Sequence, residues 1–138
     1  MATSTHRPRV LLVDDHPAAL RSLVSILQEE FEVAGTATGG MEGVRAVGDL
    51  KPDVVTLDMA MPDIDGLETA RRIRLSGSDV RIIFVTVHAD FDYVQAAHKA
   101  GALGYVLKSR AAHDLAAAIR SSLKGEWFVS PGAERVAD

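Results

Sequence analysis

The sequence predicts a doubly wound α/β domain, a parallel sheet with helices packed on both faces. Four stretches are near-continuous apolar runs with many β-branched residues: VLLVD (10–14), DVVTLD (53–58), VRIIFVT (80–86) and GYVLK (104–108). Runs that do not alternate suit strands covered on both faces, as in a parallel sheet. Helix-period segments separate them in strict β-α alternation, five times over, which is the pattern of crossover connections. At 138 residues, 47% hydrophobic and 25% charged, the chain is long and apolar enough for one domain with its own core.

The first strand (10–14) leads into a helix over 17–30, PAALRSLVSILQEE, with Pro17 at the first helical position. Leu20, Leu23, Val24 and Leu27 share one face of it. FEVAGTA (31–37) reads as an edge strand, and GMEGVRAVGDL (40–50) as the second helix. After the strand at 53–58, Asp63 and Asp65 are turn and cap residues ahead of the helix GLETARRIRLSG (66–77). The strand 80–86 and the helix FDYVQAAHKAG (91–101) follow, then the strand 104–108. The last helix, 111–125, has Leu115, Ala118, Ile119 and Leu123 in register and Gly125 as its stop. Residues 1–8 are expected to be a flexible N-terminus, 9–125 the domain, and 126–138 the start of a C-terminal linker. Trp127 and Phe128 of that segment are expected to tuck against the last helix.

Composition excludes several classes. A formal charge of −4 leaves no basic footprint for nucleic acid. The absence of cysteine removes disulfides, thiolate nucleophiles and Cys-based metal sites, and suits a reducing cytoplasm. The N-terminus has no apolar core of a secretory signal, and no apolar run nears the roughly 18 residues of a membrane span. The expectation is a cytoplasmic protein with no membrane partner.

In such sheets, sites form outside the carboxyl ends of the strands, where the strand order reverses. In the flavodoxin-like order 2-1-3-4-5, Asp14 and Asp15 end the first strand, Asp58 the third, Thr86 the fourth and Lys108 the fifth. All five converge on one rim. Singly they have bland roles: Asp15 as a helix cap, Thr86 as a strand residue, Lys108 as a solvated one. Together, the three carboxylates repel, each like pair ~4 Å apart costing about 4 kcal/mol at an effective dielectric near 20. A divalent cation and a lysine relieve that repulsion, and oxygen ligands with open positions suit Mg²⁺ or Mn²⁺ rather than Zn²⁺.

LLVDDHP, VTLDMAMPDIDG, IIFVTVHAD and AGALGYVLKS, in order over roughly residues 8–125, resemble the motifs of two-component response-regulator receiver domains. DDHP, GYVLKS and GEWFVSP resemble the NarL/FixJ (LuxR-type) subfamily most. The resemblance implies a CheY-like (βα)5 three-layer sandwich in which Asp58 takes a phosphoryl group from a sensor histidine kinase. It implies that Asp15 and Asp58 bind Mg²⁺ directly, Asp14 through water, and Ala60 by its backbone carbonyl. Thr86 would hydrogen-bond one phosphoryl oxygen and Lys108 pair with another. Tyr105 matches the switch aromatic, expected to reach solvent at rest and to follow Thr86 inward on phosphorylation. The acyl phosphate is expected to be hydrolysed slowly by the protein itself.

The implied output is a change of protein contacts, regulating transcription through a helix-turn-helix domain absent from this chain. DNA would then be touched only through that domain. A stand-alone receiver in a phosphorelay is the alternative. A homodimer is expected through helix 111–124, on a surface of Ala111, Ala112, Ala116 and Ala117. Ser109 stands where many receivers have a cis proline, which leaves the isomer of the Lys108–Ser109 bond open. Ala60 cannot position a hydrolytic water, so a long-lived phosphoryl group is expected, and His88 reads as a solvent-facing loop residue. Two other classes fit less well. A haloacid-dehalogenase-like phosphatase needs a second acid at position 60, and a flavodoxin needs a phosphate loop where DDHP stands.

Overall fold

The computed structural model describes residues 7–133. The strands are β1 (Arg9–Val13), β2 (Glu32–Ala37), β3 (Val54–Leu57), β4 (Arg81–Thr86), β5 (Gly104–Leu107) and β6 (Phe128–Val129). The helices are α1 (Pro17–Leu27), α2 (Gly40–Leu50), α3 (Gly66–Leu75), α4 (Phe91–Lys99) and α5 (Ala111–Leu123), with a short 3₁₀ turn, Lys108–Arg110, ahead of α5. Every ladder is parallel, and the strand order is β2-β1-β3-β4-β5-β6.

Both faces of the sheet are covered, which explains the unbroken apolar runs. Leu11, Val13, Val55, Leu57, Ile82 and Phe84 point to one side, where Val47 of α2, Ala70 and Ile73 of α3, and Val94 and Ala97 of α4 meet them. Val10, Leu12, Val54, Ile83 and Val85 point to the other, against Leu20, Leu23 and Leu27 of α1 and Leu115, Ala118 and Ile119 of α5. Burying each of the Val, Leu, Ile and Phe side chains among these contributes about 1.5–3 kcal/mol, and a one-residue slip in a strand would exchange its two faces.

Helix ends are set by local chemistry. Pro17 opens α1 as expected, but the helix stops at Leu27, not Glu30. Arg7 donates to the backbone carbonyls of Gln28 and Glu29, at 2.8 and 3.2 Å, satisfying groups left over at that end. Asp65 caps α3, accepting from Glu68 N at 2.8 Å. Asp63 caps a different helix from the one next to it in sequence. Its carboxylate accepts from Gly40 N at 3.0 Å and Met41 N at 2.9 Å, at the start of α2.

That cap gives a pH-dependent prediction. The Met41 N–H, helped by those of Ile64 and Gly40, outweighs desolvation and holds the Asp63 carboxyl at about 2, below its ordinary 3.8. Removing a helix cap costs roughly 1 kcal/mol. Asp63→Ala is therefore expected to lower stability by about 1 kcal/mol at neutral pH. A depressed pKa contributes stability that is present above the unfolded value and lost as pH falls through the folded one. The gap between wild type and variant should shrink between pH 3.8 and about 2, as read by urea titrations across that range.

The sheet runs one strand further than the sequence suggests. Phe128 N donates to Leu103 O at 3.0 Å and Ser130 N to Tyr105 O at 2.9 Å, so β6 extends the edge beyond β5. Ser130 is fully buried: its hydroxyl donates to Asp114 Oδ2 at 2.8 Å and accepts from Leu107 N at 3.1 Å. Burial pushes the Asp114 carboxyl up, but hydrogen bonds from Arg110 and Ser130 more than offset this and hold it below its usual range. Phe128 packs with the α1/α5 cluster, as expected. Trp127 instead turns to the opposite face, its ring edge-on to His98 of α4 with centroids 4.7 Å apart.

Candidate functional site: an acidic rim at the strand ends

Topology assembles the rim. β1 and β3 are hydrogen-bonded neighbours, so the residues that follow them lie side by side, and Asp58 N donates to Val13 O at 3.1 Å. Asp14 N donates to Ala37 O at 3.0 Å, which fixes the turn where β1 ends. Leu57 is level with Phe84 in the β3/β4 register, which brings Thr86 to the same edge. Lys108 opens the 3₁₀ turn directly after β5.

The charges meet as the sequence predicts. Lys108 Nζ lies 2.7 Å from Asp14 Oδ2 and 3.2 Å from Asp58 Oδ2. Asp14 and Asp58 are buried, at 1% and 5% exposure, so little solvent screens their repulsion. Desolvation and the Asp14 charge push the Asp58 carboxyl up, against the pull of Lys108. Burial pushes the Lys108 ammonium down, but the two carboxylates outweigh it and keep it more basic than usual. One lysine thus leaves the acids under-compensated. Asp15 Oδ1 is enclosed with no hydrogen-bond partner, and Asp14 Oδ2 touches Lys108 without hydrogen-bond geometry.

Asp14, Asp15, Asp58 and His16 each offer one ligand atom, all within 4.8 Å of one another. Three carboxylates gathered at this spacing, with one lysine to offset them, fit a hard divalent cation such as Mg²⁺. Ala60 lies exposed two residues beyond Asp58.

Thr86 is fully buried, and its Oγ1 accepts from His88 N at 3.3 Å. Tyr105 differs from expectation. Its ring is fully buried instead of reaching solvent, and its hydroxyl donates to His88 O at 2.7 Å. Desolvation first, then the nearby Asp90, Tyr93 and Asp58, push the phenol up. The aromatic is held inward because that hydrogen bond satisfies its one polar atom inside the apolar layer. His88 is half-buried rather than solvent-facing, with its ring 4.8 Å from that of Tyr93. Every peptide bond among the described residues is trans, Lys108–Ser109 included.

A family model described as "Response regulator receiver domain" matches residues 10–120. The chain belongs to that family. This receiver is 43% identical over 120 residues to the transcriptional regulatory protein LiaR of Bacillus subtilis (strain 168), covering 86% of this chain and 57% of the relative. It is 38% identical over 123 residues to the response regulator UvrY of Escherichia coli (strain K12), covering 88% of this chain and 56% of that one. The receiver therefore spans little more than half of these relatives.

Among solved structures, a LuxR-family response regulator from Aurantimonas sp. SI85-9A1 superposes with a TM-score of 0.87 at 32% identity, over 91% of each chain. The signal receiver domain of the putative response regulator NarL from Mycobacterium tuberculosis gives 0.83 at 28%, over 88% of this chain and 99% of that one. The fold, the family and the two-component signalling role thus stand together. Receivers of this family bind Mg²⁺ at an acidic pocket, and response regulators take their signal from histidine kinases and partner with DNA-binding output domains.

Three features escaped the sequence reading. His16, third in DDHP, puts its ring nitrogen among the carboxylates. Asp114, buried on the inner face of α5, ties that helix to β6 through Ser130. Gly66, first in α3, lies against the segment that carries Asp58, and a Cβ there would collide with the Asp58 carbonyl oxygen. In each case the motif was visible but its spatial neighbour was not.

Proposed function

We propose that this receiver takes a phosphoryl group onto Asp58 from a histidine kinase, with a divalent cation held at the rim, and that the change of charge redirects its protein contacts. The observation that carries the reading is the buried Asp14–Asp58–Lys108 cluster, with Lys108 bridging both acids. Asp15 and Asp58 would hold Mg²⁺ (or Mn²⁺) directly, Asp14 through water, and Ala60 by its carbonyl. The ion, when bound, neutralises charge between the carboxylates and the incoming phosphoryl oxygens.

Asp58 supplies the nucleophilic oxygen. As its bond to phosphorus forms, the bond from phosphorus to the donor's imidazole nitrogen breaks, and that nitrogen keeps the electron pair. Lys108 stays protonated and pairs with a phosphoryl oxygen, while Thr86 donates its hydroxyl to another. Positioning and charge are the main demands of phosphoryl transfer. Tyr105 is already buried, and the His88 carbonyl it bonds belongs to the loop after Thr86. Exposed Ala60 offers no group to orient a hydrolytic water, which favours a persistent phosphoryl group. The receiver thus catalyses its own phosphorylation and slow dephosphorylation.

Incubation with acetyl phosphate and Mg²⁺, followed by peptide mapping, is expected to place the adduct on Asp58. An adduct on Asp14 or Asp15, or none, overturns the assignment.

The name of the relative LiaR, a transcriptional regulatory protein, supports a transcriptional output, which the reading places in a DNA-binding domain outside this chain and in the cytoplasm. No helix among the described residues is long and apolar enough to cross a membrane. A homodimer through helix 111–124 completes the reading, with one adjustment. Ala111 is buried in the core, so Ala112, Ala116 and Ala117 carry the accessible small-residue surface. A tenfold gain in dimer affinity needs only about 1.4 kcal/mol. Sedimentation velocity should show a larger species with beryllofluoride than without, and an unchanged monomer at micromolar concentrations removes the dimer.

A further inference from the structure

We infer that His16 is an additional ligand of the acidic site and tilts its metal preference from Mg²⁺ toward transition-metal dications. The inference rests on the metal-assisted reading of the rim and deepens it. The backbone of His16 is pinned. It is the extended N-cap of α1, its N–H donates to Asp14 Oδ1 at 2.9 Å, and its carbonyl accepts from Leu20 N at 3.1 Å. Pro17, next in the chain, fixes the start of the helix. That anchoring leaves the ring over the rim. Nδ1 lies 3.1 Å from Asp14 Oδ1, 3.2 Å from Asp15 Oδ1 and 3.9 Å from Asp58 Oδ2.

Those spacings are those of ligands around one ion. With metal–ligand bonds near 2.1 Å in an octahedron, adjacent ligand atoms stand roughly 3.0 Å apart and opposite ones roughly 4.2 Å. A second observation points the same way. Asp14 is 1% exposed, and around this space three carboxylates are offset by one ammonium, Lys108 Nζ, 2.7 Å from Asp14 Oδ2 and 3.2 Å from Asp58 Oδ2.

Chemistry then sets the selectivity. Mg²⁺ prefers oxygen and keeps its waters, whereas a neutral imidazole nitrogen suits Co²⁺, Ni²⁺ and Zn²⁺ and follows the rising affinity across the first row. His16 would fill a position that water takes in an all-oxygen site. The competing reading is a hydrogen bond, with Nδ1–H donating to Asp14 Oδ1 at 3.1 Å and the side chain 65% exposed. The two readings predict opposite signs. A ligand strengthens transition-metal binding, whereas a ring that donates to Asp14 competes with every cation for that carboxylate.

The experiment is calorimetric titration of the 138-residue chain with Mg²⁺ and with Co²⁺, in wild type, His16→Ala, His16→Gln and Asp15→Asn, each checked for wild-type circular dichroism. The chain has four other histidines, so the informative quantity is the change between variants. Both His16 variants should lose about tenfold or more in Co²⁺ affinity, with Mg²⁺ affinity changed less than about twofold. Electron spin-echo spectra of the Mn²⁺ complex should show coupling to an imidazole nitrogen that is lost in His16→Ala. A Co²⁺ to Mg²⁺ ratio unchanged by His16, or a gain in both affinities, overturns the inference while leaving the metal site intact. If neither cation binds, or if Asp15→Asn binds as tightly as wild type, the metal-assisted reading itself falls.

Discussion

Asp58→Asn is expected to take up no phosphoryl group from acetyl phosphate, and at neutral pH to unfold at a higher urea concentration than the wild type. The first half follows from chemistry, since the amide has no carboxylate oxygen to attack phosphorus. The second half is counter-intuitive and follows from burial. Asp58 is 5% exposed, and desolvation and Asp14 push its carboxyl up despite Lys108. An acid whose folded pKa is raised contributes stability below its unfolded value of 3.8, and that stability is lost as pH rises through the folded value. At pH 7 the carboxyl therefore costs the fold stability, and a neutral isostere relieves that cost. Lys108 keeps its 2.7 Å contact to Asp14 in the variant, so no buried charge is orphaned. The advantage should fade as pH falls from the raised folded value toward 3.8.

Mg²⁺ gives a second measure of the same cost. A ligand at a hundred times its dissociation constant stabilises the folded state by about 2.7 kcal/mol. That gain should appear in the wild type and be much smaller in Asp58→Asn, because a proposed ligand oxygen has lost its charge. Urea midpoints with and without Mg²⁺, together with intact-mass spectra after acetyl phosphate, check all of this. A phosphorylated Asp58→Asn, or one less stable than wild type at pH 7, contradicts the electrostatic account of the rim.

The rim was legible in the sequence because one topological rule does most of the assembly. Once the apolar runs were read as parallel strands, the residues ending strands 1, 3, 4 and 5 had to share an edge. Asp14, Asp15, Asp58, Thr86 and Lys108 do so. What stayed hidden depends on side-chain direction or on partners distant in sequence. GYVLK marks Tyr105 as a strand residue but does not say that its hydroxyl reaches the His88 carbonyl. Asp63 looked like a cap, yet the helix it caps begins 23 residues earlier, at Gly40. β6 has two residues, too few to show any period. Asp114 offered a signal that went unused. It falls on the same helical stripe as Leu115, Ala118 and Ile119, so a buried carboxylate could have been inferred, although its partner Ser130 could not.

Gly66→Ala is expected to destabilise the domain by about 3 kcal/mol, at the upper end of the range for overpacking, and to slow phosphoryl uptake by about a hundredfold. Gly66 is the first residue of α3, and its N–H donates to Met59 O at 2.8 Å, which draws the helix start onto the segment after β3. A Cβ there would overlap the Asp58 carbonyl oxygen and come within 2.8 Å of Phe84 Cε1 and 3.0 Å of Met59 Cα. Two of those three neighbours are backbone atoms, and the third is a ring in the buried layer, so none can rotate away. The strand end must move, and it carries Asp58, the proposed phosphoacceptor. A shift of roughly 1 Å in a reacting group is enough to cost about 10² in rate.

Gly48→Ala is the control. Its Cβ would meet nothing within 4 Å on the exposed side of α2, so it should stabilise by about 0.5–1 kcal/mol through helix propensity alone. Urea denaturation separates the two variants by sign, and stopped-flow phosphorylation reads the displacement of Asp58. If Gly66→Ala matched wild type in both, the close approach of α3 to the Asp58 backbone would not be what positions the phosphoacceptor.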